Sequence, residues 1–185
     1  MTSDDIRTIT DAEVLKALAS PIRTRLLDSL KVHGPATAST LAQLTQTAVG
    51  SASHHLRVLA EAGLIVEVPE RARDGRERWW GLANRGIQWS SQDFTEPSGQ
   101  LIADAASRLA FQRQIEHTLR WLDDPDAEPE WRASAFATQA WMWLTPEELS
   151  SLQREVLEVF DRFAGREHEG RAPVLCFAKG FPSQP

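Results

Sequence analysis

Apolar positions recur at helical spacing over most of the chain. From Ala48 to Gly63 the chain reads AVGSASHHLRVLAEAG. Val49, Ala52, Leu56, Leu59 and Gly63 repeat every three or four residues and so share one helix face. With successive side chains about 100° apart, Gly50, Ser51, His54 and Arg57 project from the opposite face, and Ser53 and His55 lie on its flanks. Gly63 ends this helix because glycine accepts a left-handed backbone. Three shorter patterns precede it. Residues 1–9 read as a frayed tail, and Thr10-Asp-Ala-Glu13 as a capping box with Thr10 at the N-cap. Val14, Leu15 and Leu18 form the apolar side of the helix that follows. Ser20-Pro21 starts a second helix, with Ile22, Leu26, Leu27 and Leu30 inward and Gly34-Pro35 as its stop. Thr37 or Ser39 opens a third over Thr40–Leu44, with Leu41 and Leu44 inward, and Thr45–Thr47 is a turn.

The period then changes. Leu64–Val68 and Arg78–Leu82 read as paired strands, with Asp74-Gly75 as the hairpin turn between them. Two short helices joined by a turn form a helix-turn-helix unit, and the hairpin after it makes the arrangement a winged helix. Residues 86–99 look like a connector, broken at Pro97-Ser-Gly99. A long helix over 100–122 carries Leu101, Ile102, Ala105, Leu109, Ile115, Leu119 and Leu122 along one side. Asp123–Glu130 is an acidic, proline-bearing linker. Beyond it, Ala135–Trp143 reads as a strand. Leu144-Thr-Pro-Glu-Glu-Leu149 starts a helix with Thr145 as cap and Glu148 closing a capping box. Leu149, Leu152, Val156, Phe160 and Phe163 form that helix's stripe, Gly165 its end, and Pro173–Phe177 a last strand. The expected fold is mostly α with a β-hairpin wing. A winged helix-turn-helix domain spans 10–90, a long helix 100–122, and a small α+β appendage 131–180.

Composition narrows the function. At 185 residues and 42% apolar, the chain can bury an ordinary core. Cys176 is the lone cysteine, which excludes an internal disulfide or a thiolate cluster and fits a reducing, cytoplasmic setting. The acidic N-terminus does not read as a signal peptide, and no apolar run approaches the ~20 residues of a membrane helix. Net charge is −6, but it is unevenly spread: residues 1–85 hold 11 Lys+Arg against 10 Asp+Glu, and residues 86–185 hold 9 against 16. Such asymmetry suits a half that faces phosphate and a half that turns away from it.

The outward face of the 48–63 helix is small and rich in hydrogen-bonding groups, as entry into a major groove requires. Its candidate DNA contacts are Gly50, Ser51, Ser53, His54, His55 and Arg57, with Thr40 and Gln43 on the preceding helix. The hairpin adds Arg71, Arg73, Arg76 and Arg78, offset by Glu70, Asp74 and Glu77, for backbone or minor-groove contacts. Adjacent His54 and His55 diverge around the helix and are not expected to chelate a metal. No catalytic motif appears, so the chain is not read as an enzyme, and no cofactor is expected. The C-terminal aromatics are read mainly as core. The sharper alternative is a pocket for a small organic effector, with Phe111, Trp121, Trp141 and Trp143 as its candidates.

Residues 12–90 resemble the ArsR-type winged-helix repressors. The resemblance rests on Leu15-Lys-Ala-Leu-Ala-Ser-Pro-Ile-Arg23 with Leu26-Leu27, on Leu41-Ala42, on Ser53-His-His-Leu-Arg-Val-Leu-Ala-Glu-Ala-Gly-Leu64, and on Asp74-Gly-Arg with Trp79-Trp-Gly-Leu82. It implies a homodimer that binds a pseudo-palindromic operator in double-stranded DNA, represses transcription, and is released by an effector. It also implies that Ser53–Leu56 lies on the recognition helix and that the long helix makes the dimer interface. Two features depart from the family. Ala48 stands where a capping serine is common, which makes Thr47 the expected cap, and the cysteine pair of the metal sensors is absent. The zinc pairs of other members are also incomplete here, at Asp104/Ala106 and His117/Arg120. The competing readings are a protein-interaction module and a small-ligand-binding protein centred on residues 123–185.

Overall fold

The computed structural model describes residues 6–72, 77–164 and 169–184. The chain divides into two units, Met1–Glu116 and His117–Pro185, each described by itself.

Of the frayed tail expected over 1–9, residues 1–5 lie outside the described residues, and Ile6–Thr8 form a short strand, β1. It pairs in parallel with β5 (Gly86–Gln88), in register Ile6 to Gly86, and the Ile9 N–H donates to the Gln88 carbonyl at 2.9 Å. Ile9 is buried beneath this contact. With the entering chain held this far along, the N-cap of α1 (Ala12–Leu18) moves from Thr10 to Asp11, whose carboxylate accepts from the Glu13 N–H at 2.9 Å. Helix α2 (Pro21–His33) starts at Ser20-Pro21 and stops at Gly34, whose φ is +73°. Arg23 donates to the carbonyls of Lys16 and Ala17, closing the end of α1. Helix α3 (Ala38–Leu44) is capped by the Thr37 hydroxyl, which accepts from the Thr40 N–H at 3.2 Å. Its inward residues are Leu41 and Ala42; Leu44, expected inward, is exposed.

Helix α4 (Val49–Glu61) follows, and then the wing. Strands β2 (Ala36–Thr37), β3 (Ile65–Glu67) and β4 (Trp79–Leu82) form an antiparallel sheet in the order β2-β4-β3. Ile65 faces Leu82 and Glu67 faces Trp80. The expected Asp74-Gly75 turn lies outside the described residues. Leu15, Leu26, Leu41, Leu56 and Leu59 are wholly buried and join α1–α4 in one core.

The expected connector 86–99 is more ordered than its composition suggests. It holds β5, a single 3-10 turn over Ser91–Asp93 and the buried Phe94. Helix α5 (Pro97–Leu122) begins on the predicted break. Gly99 lies against Phe94, where a Cβ would meet the ring at 3.1 Å. Only Gly99, Ala103 and Ala106 of α5 are buried, and an Arg113–Asp28 ion pair ties the helix to α2.

In the second unit, beyond the end of α5, the regular elements among the described residues are α6 (Pro129–Ser134) and α7 (Pro146–Ala164). The capping box at α7 is reciprocal: the Glu148 N–H donates to Thr145 Oγ1 at 3.2 Å, and the Thr145 N–H donates to Glu148 Oε2 at 2.8 Å. Gly165, the expected helix end, lies outside the described residues. The strands expected over 135–143 and 173–177 are not formed. Both segments run without a ladder, because strand-forming residues make a strand only where another backbone offers its N–H and C=O groups. The α+β character expected of 131–180 is thus helical alone among the described residues. No helix there is long and apolar enough to cross a membrane.

Candidate nucleic-acid interface

The turn between α3 and α4 is held by threonines. Thr45 is buried; its hydroxyl donates to the Leu41 carbonyl at 2.7 Å and lies 3.1 Å from Thr47 Oγ1. Gln46 takes a left-handed φ of +52°, and the Thr47 N–H returns to the Ala42 carbonyl at 2.9 Å. Ala48 is the N-cap of α4 and has no side-chain cap bond, which corrects the expectation for Thr47, whose hydroxyl faces Thr45. The first-turn N–H groups of α4 therefore have no capping side chain. Such groups, at the positive end of the helix dipole, suit a phosphate oxygen.

Along α4, Ala52, Leu56 and Leu59 are buried in the core. Val49, assigned to the same face, is 48% exposed, so the buried stripe starts one turn later than spacing suggested. Spacing identifies a face but not where a neighbouring helix begins to cover it. Gly50, His54 and Arg57 are exposed, while Ser51, Ser53 and His55 are half-buried beside them. The His54 and His55 rings meet edge-on with centroids 5.3 Å apart. Nδ1 of His55 is buried without a hydrogen-bond partner. Burial, then the Arg23 guanidinium, then His54 lower the His55 pKa below the usual 6.5, which keeps the ring neutral at pH 7. On α3, Thr40 and Gln43 are exposed, and the Thr40 hydroxyl lies 3.0 Å from that of Thr37.

The far end of α4 closes with two bonds. The Gly63 N–H donates to the Ala60 carbonyl at 2.9 Å, and the Leu64 N–H donates to Leu59 at 2.9 Å, with Gly63 at φ +65°. This pattern is the Schellman motif. Arg7 of β1 adds a contact that no local pattern announced. Its Nη1 donates to the Gly63 carbonyl at 2.7 Å and to Ala62 at 3.4 Å. The guanidinium thus sits at the negative end of the α4 dipole. Nothing near Gly63 in sequence signals Arg7; the pairing of β1 with β5 brings it there.

In the wing, Arg71 ends a 3-10 turn over Pro69–Arg71 and is exposed, as is Arg78. Arg78 lies 3.6 Å from Glu67 across the sheet. Both side chains are largely in water, so the pair is weak and leaves Arg78 free to turn toward a phosphate. Arg73 and Arg76 lie outside the described residues. Among the effector candidates, Phe111 belongs to the first unit and is exposed. Trp121 is half-buried, with the Arg132 guanidinium 5.8 Å from its ring centroid. Trp141 and Trp143 are 64% and 103% exposed.

Residues 18–68 match the family model of a helix-turn-helix domain. The fold is a winged helix-turn-helix. Solved structures with a likeness to it include a homodimeric winged helix-turn-helix DNA-binding domain from Mycobacterium bovis, a possible ArsR-family transcriptional regulator. It is 24% identical, covers 57% of this chain and 77% of its own, and has a TM-score of 0.36. A possible transcriptional regulator for arsenical resistance is 28% identical over 57% of this chain and 95% of its own, at a TM-score of 0.34. A mutant MarR from E. coli complexed with operator DNA is 16% identical over 81% of this chain and 84% of its own, at 0.35. No curated protein matches the chain.

Proposed function

We propose that this winged helix-turn-helix chain is a transcriptional regulator of ArsR type, acting as a homodimeric repressor on a pseudo-palindromic operator. The observation that carries the reading is the two-sidedness of α4. Ala52, Leu56 and Leu59 anchor the helix, while Gly50, His54 and Arg57 stand free beside an uncapped N-terminus. Small residues let the helix enter the major groove, Arg57 and His54 reach base edges or phosphates, and Thr40 and Gln43 on α3 hold the register. The wing arginines grip the flanking backbone or minor groove. Two copies of α5 form the dimer, because Leu101, Phe111 and Ile115 are exposed while the small residues of the helix face its own chain. Release by a small organic effector belongs to the same proposal, with Trp121, Trp141 and Trp143 of the second unit as the candidate contacts.

Selection of genomic fragments by the purified protein tests this reading. The expected result is one inverted repeat, with half-sites about one helical turn apart, and binding that weakens steeply as salt rises. Arg57→Ala should cost about 1–3 kcal/mol and relax one base position if the contact is to a guanine; a phosphate contact would weaken all sequences alike. No enrichment at low salt, or affinity unaltered in Arg57→Ala, overturns the placement of α4.

A further inference from the structure

Among its described residues the second unit has no core of its own. No described residue from His117 to Gln184 is fully buried, although the unit holds Phe136, Trp141, Met142, Trp143, Val174, Leu175, Phe177 and Phe181, all exposed. A unit of that size ordinarily buries most of its apolar side chains. All of these but Phe181 lie in the two segments that read as strands and lack a ladder. Among the described residues, no backbone hydrogen bond reaches residues 136–144 or 172–178.

Both segments have the composition of strands covered on both faces. Residues 135–144 carry no charged side chain, and neither do 173–178. In a strand, Phe136, Met142 and Leu144 would take one face and Trp141 and Trp143 the other. Strands apolar on both faces occur where both faces are covered. Gly180 already lies against α7, where a Cβ would come within 2.9 Å of Leu149 Cδ1. The apolar stripe of α7, from Leu149 to Phe160, is only half-buried.

We propose that residues 136–144 and 172–178 are strands of an intermolecular sheet completed by a second copy of this chain. The proposal deepens the homodimer reading above and adds a second interface to it. Two features favour a second copy over a different protein. At roughly 150–250 Å² per aromatic side chain, the exposed apolar groups reach on the order of 1,000 Å² per copy, beside about 800 Å² per partner in a standard interface. A second copy brings the same two unpaired segments, so a two-fold axis pairs backbone with backbone and leaves no open-ended contact.

Hydrogen exchange read by mass spectrometry, beside sedimentation of the full chain over a range of concentrations, tests the proposal. The expected result is a dimer whose amides at 136–144 and 172–178 exchange at least about tenfold more slowly than in an unstructured peptide, with the protection fading on dilution to monomer. Thr138→Pro removes a ladder donor, and it should abolish that protection while the amides of Ala52–Leu59 in α4 stay protected. A dimer in which both segments exchange at peptide rates overturns this proposal and leaves the α5 interface standing. A monomer with both segments protected overturns it in favour of a sheet within one chain. A monomer with both unprotected at all concentrations overturns the α5 interface as well.

Discussion

Arg57 and His55 stand two residues apart on α4 and differ in what they can do. Arg57 is exposed and always charged, so its contribution lies in the contact it makes with DNA. His55 is half-buried, with Nδ1 enclosed and the Arg23 guanidinium acting on it. Burial and that charge lower its pKa in the folded chain, whereas the unfolded chain titrates near 6.5. As pH falls through that value, the unfolded chain takes up a proton first, so stability drops with acid until the folded-state pKa is passed. Above 6.5 the contribution is fully present. The urea midpoint should therefore fall between pH 7.5 and pH 5.5, and fall less in His55→Asn. Equal falls in the two proteins would exclude His55 as the source. That His55 flanks the outward face was legible from the helical period. The effect of the nearby Arg23 guanidinium was not, because the period of one helix says nothing of which charge a neighbouring helix presents.

Helix α4 is fastened at its C-terminus and open at its N-terminus. The open end suits a ligand phosphate, and the fastened end sets how the helix is held. Gly63 has φ +65°, and the space where its Cβ would lie is 3.0 Å from Arg7 Nη1. Gly63→Ala should cost about 1–2 kcal/mol for the left-handed residue alone, and more if Arg7 is displaced. A thermal melt reads the loss, and an unchanged melting temperature would mean that the helix end rearranges freely. The helix stop at Gly63 could be read from sequence, as could the reciprocal cap of Thr145 and Glu148, because caps depend on residues within a turn of each other. Strand β1 and the order of the 86–99 segment are not legible there, for the opposite reason. Ile6–Thr8 and Gly86–Gln88 are short and unremarkable segments until they meet.

Helix α5 and the second unit each leave several large apolar side chains exposed. Within the first unit α5 packs through Gly99, Ala103 and Ala106 and leaves Leu101, Phe111 and Ile115 exposed. A charge at such a face is costly only if a partner covers it. Ile115→Glu should then shift the chain toward monomer by at least about tenfold in dissociation constant and weaken operator binding in step, while the melt of the first unit changes little. Light scattering and DNA titration check both, and an unaltered oligomeric state would remove α5 from the interface. The apolar side of α5 was evident in the sequence, but not which residues of that helix meet its own subunit.

The order of helices α1–α4, the wing after them, the inward leucines and the outward face of α4 follow from local periodicity and capping. Those signals act over a few residues and survive being read one segment at a time. Remote contact alone sets the rest. It explains the parallel β1–β5 pair, Arg7 at the end of α4, the neutral His55 and the exposure of Val49 and Leu44. The unpaired state of 135–143 and 173–177 has the same origin. Their residues favour strands, but a ladder needs a second backbone at the right distance, and neither composition nor spacing encodes whether one is there.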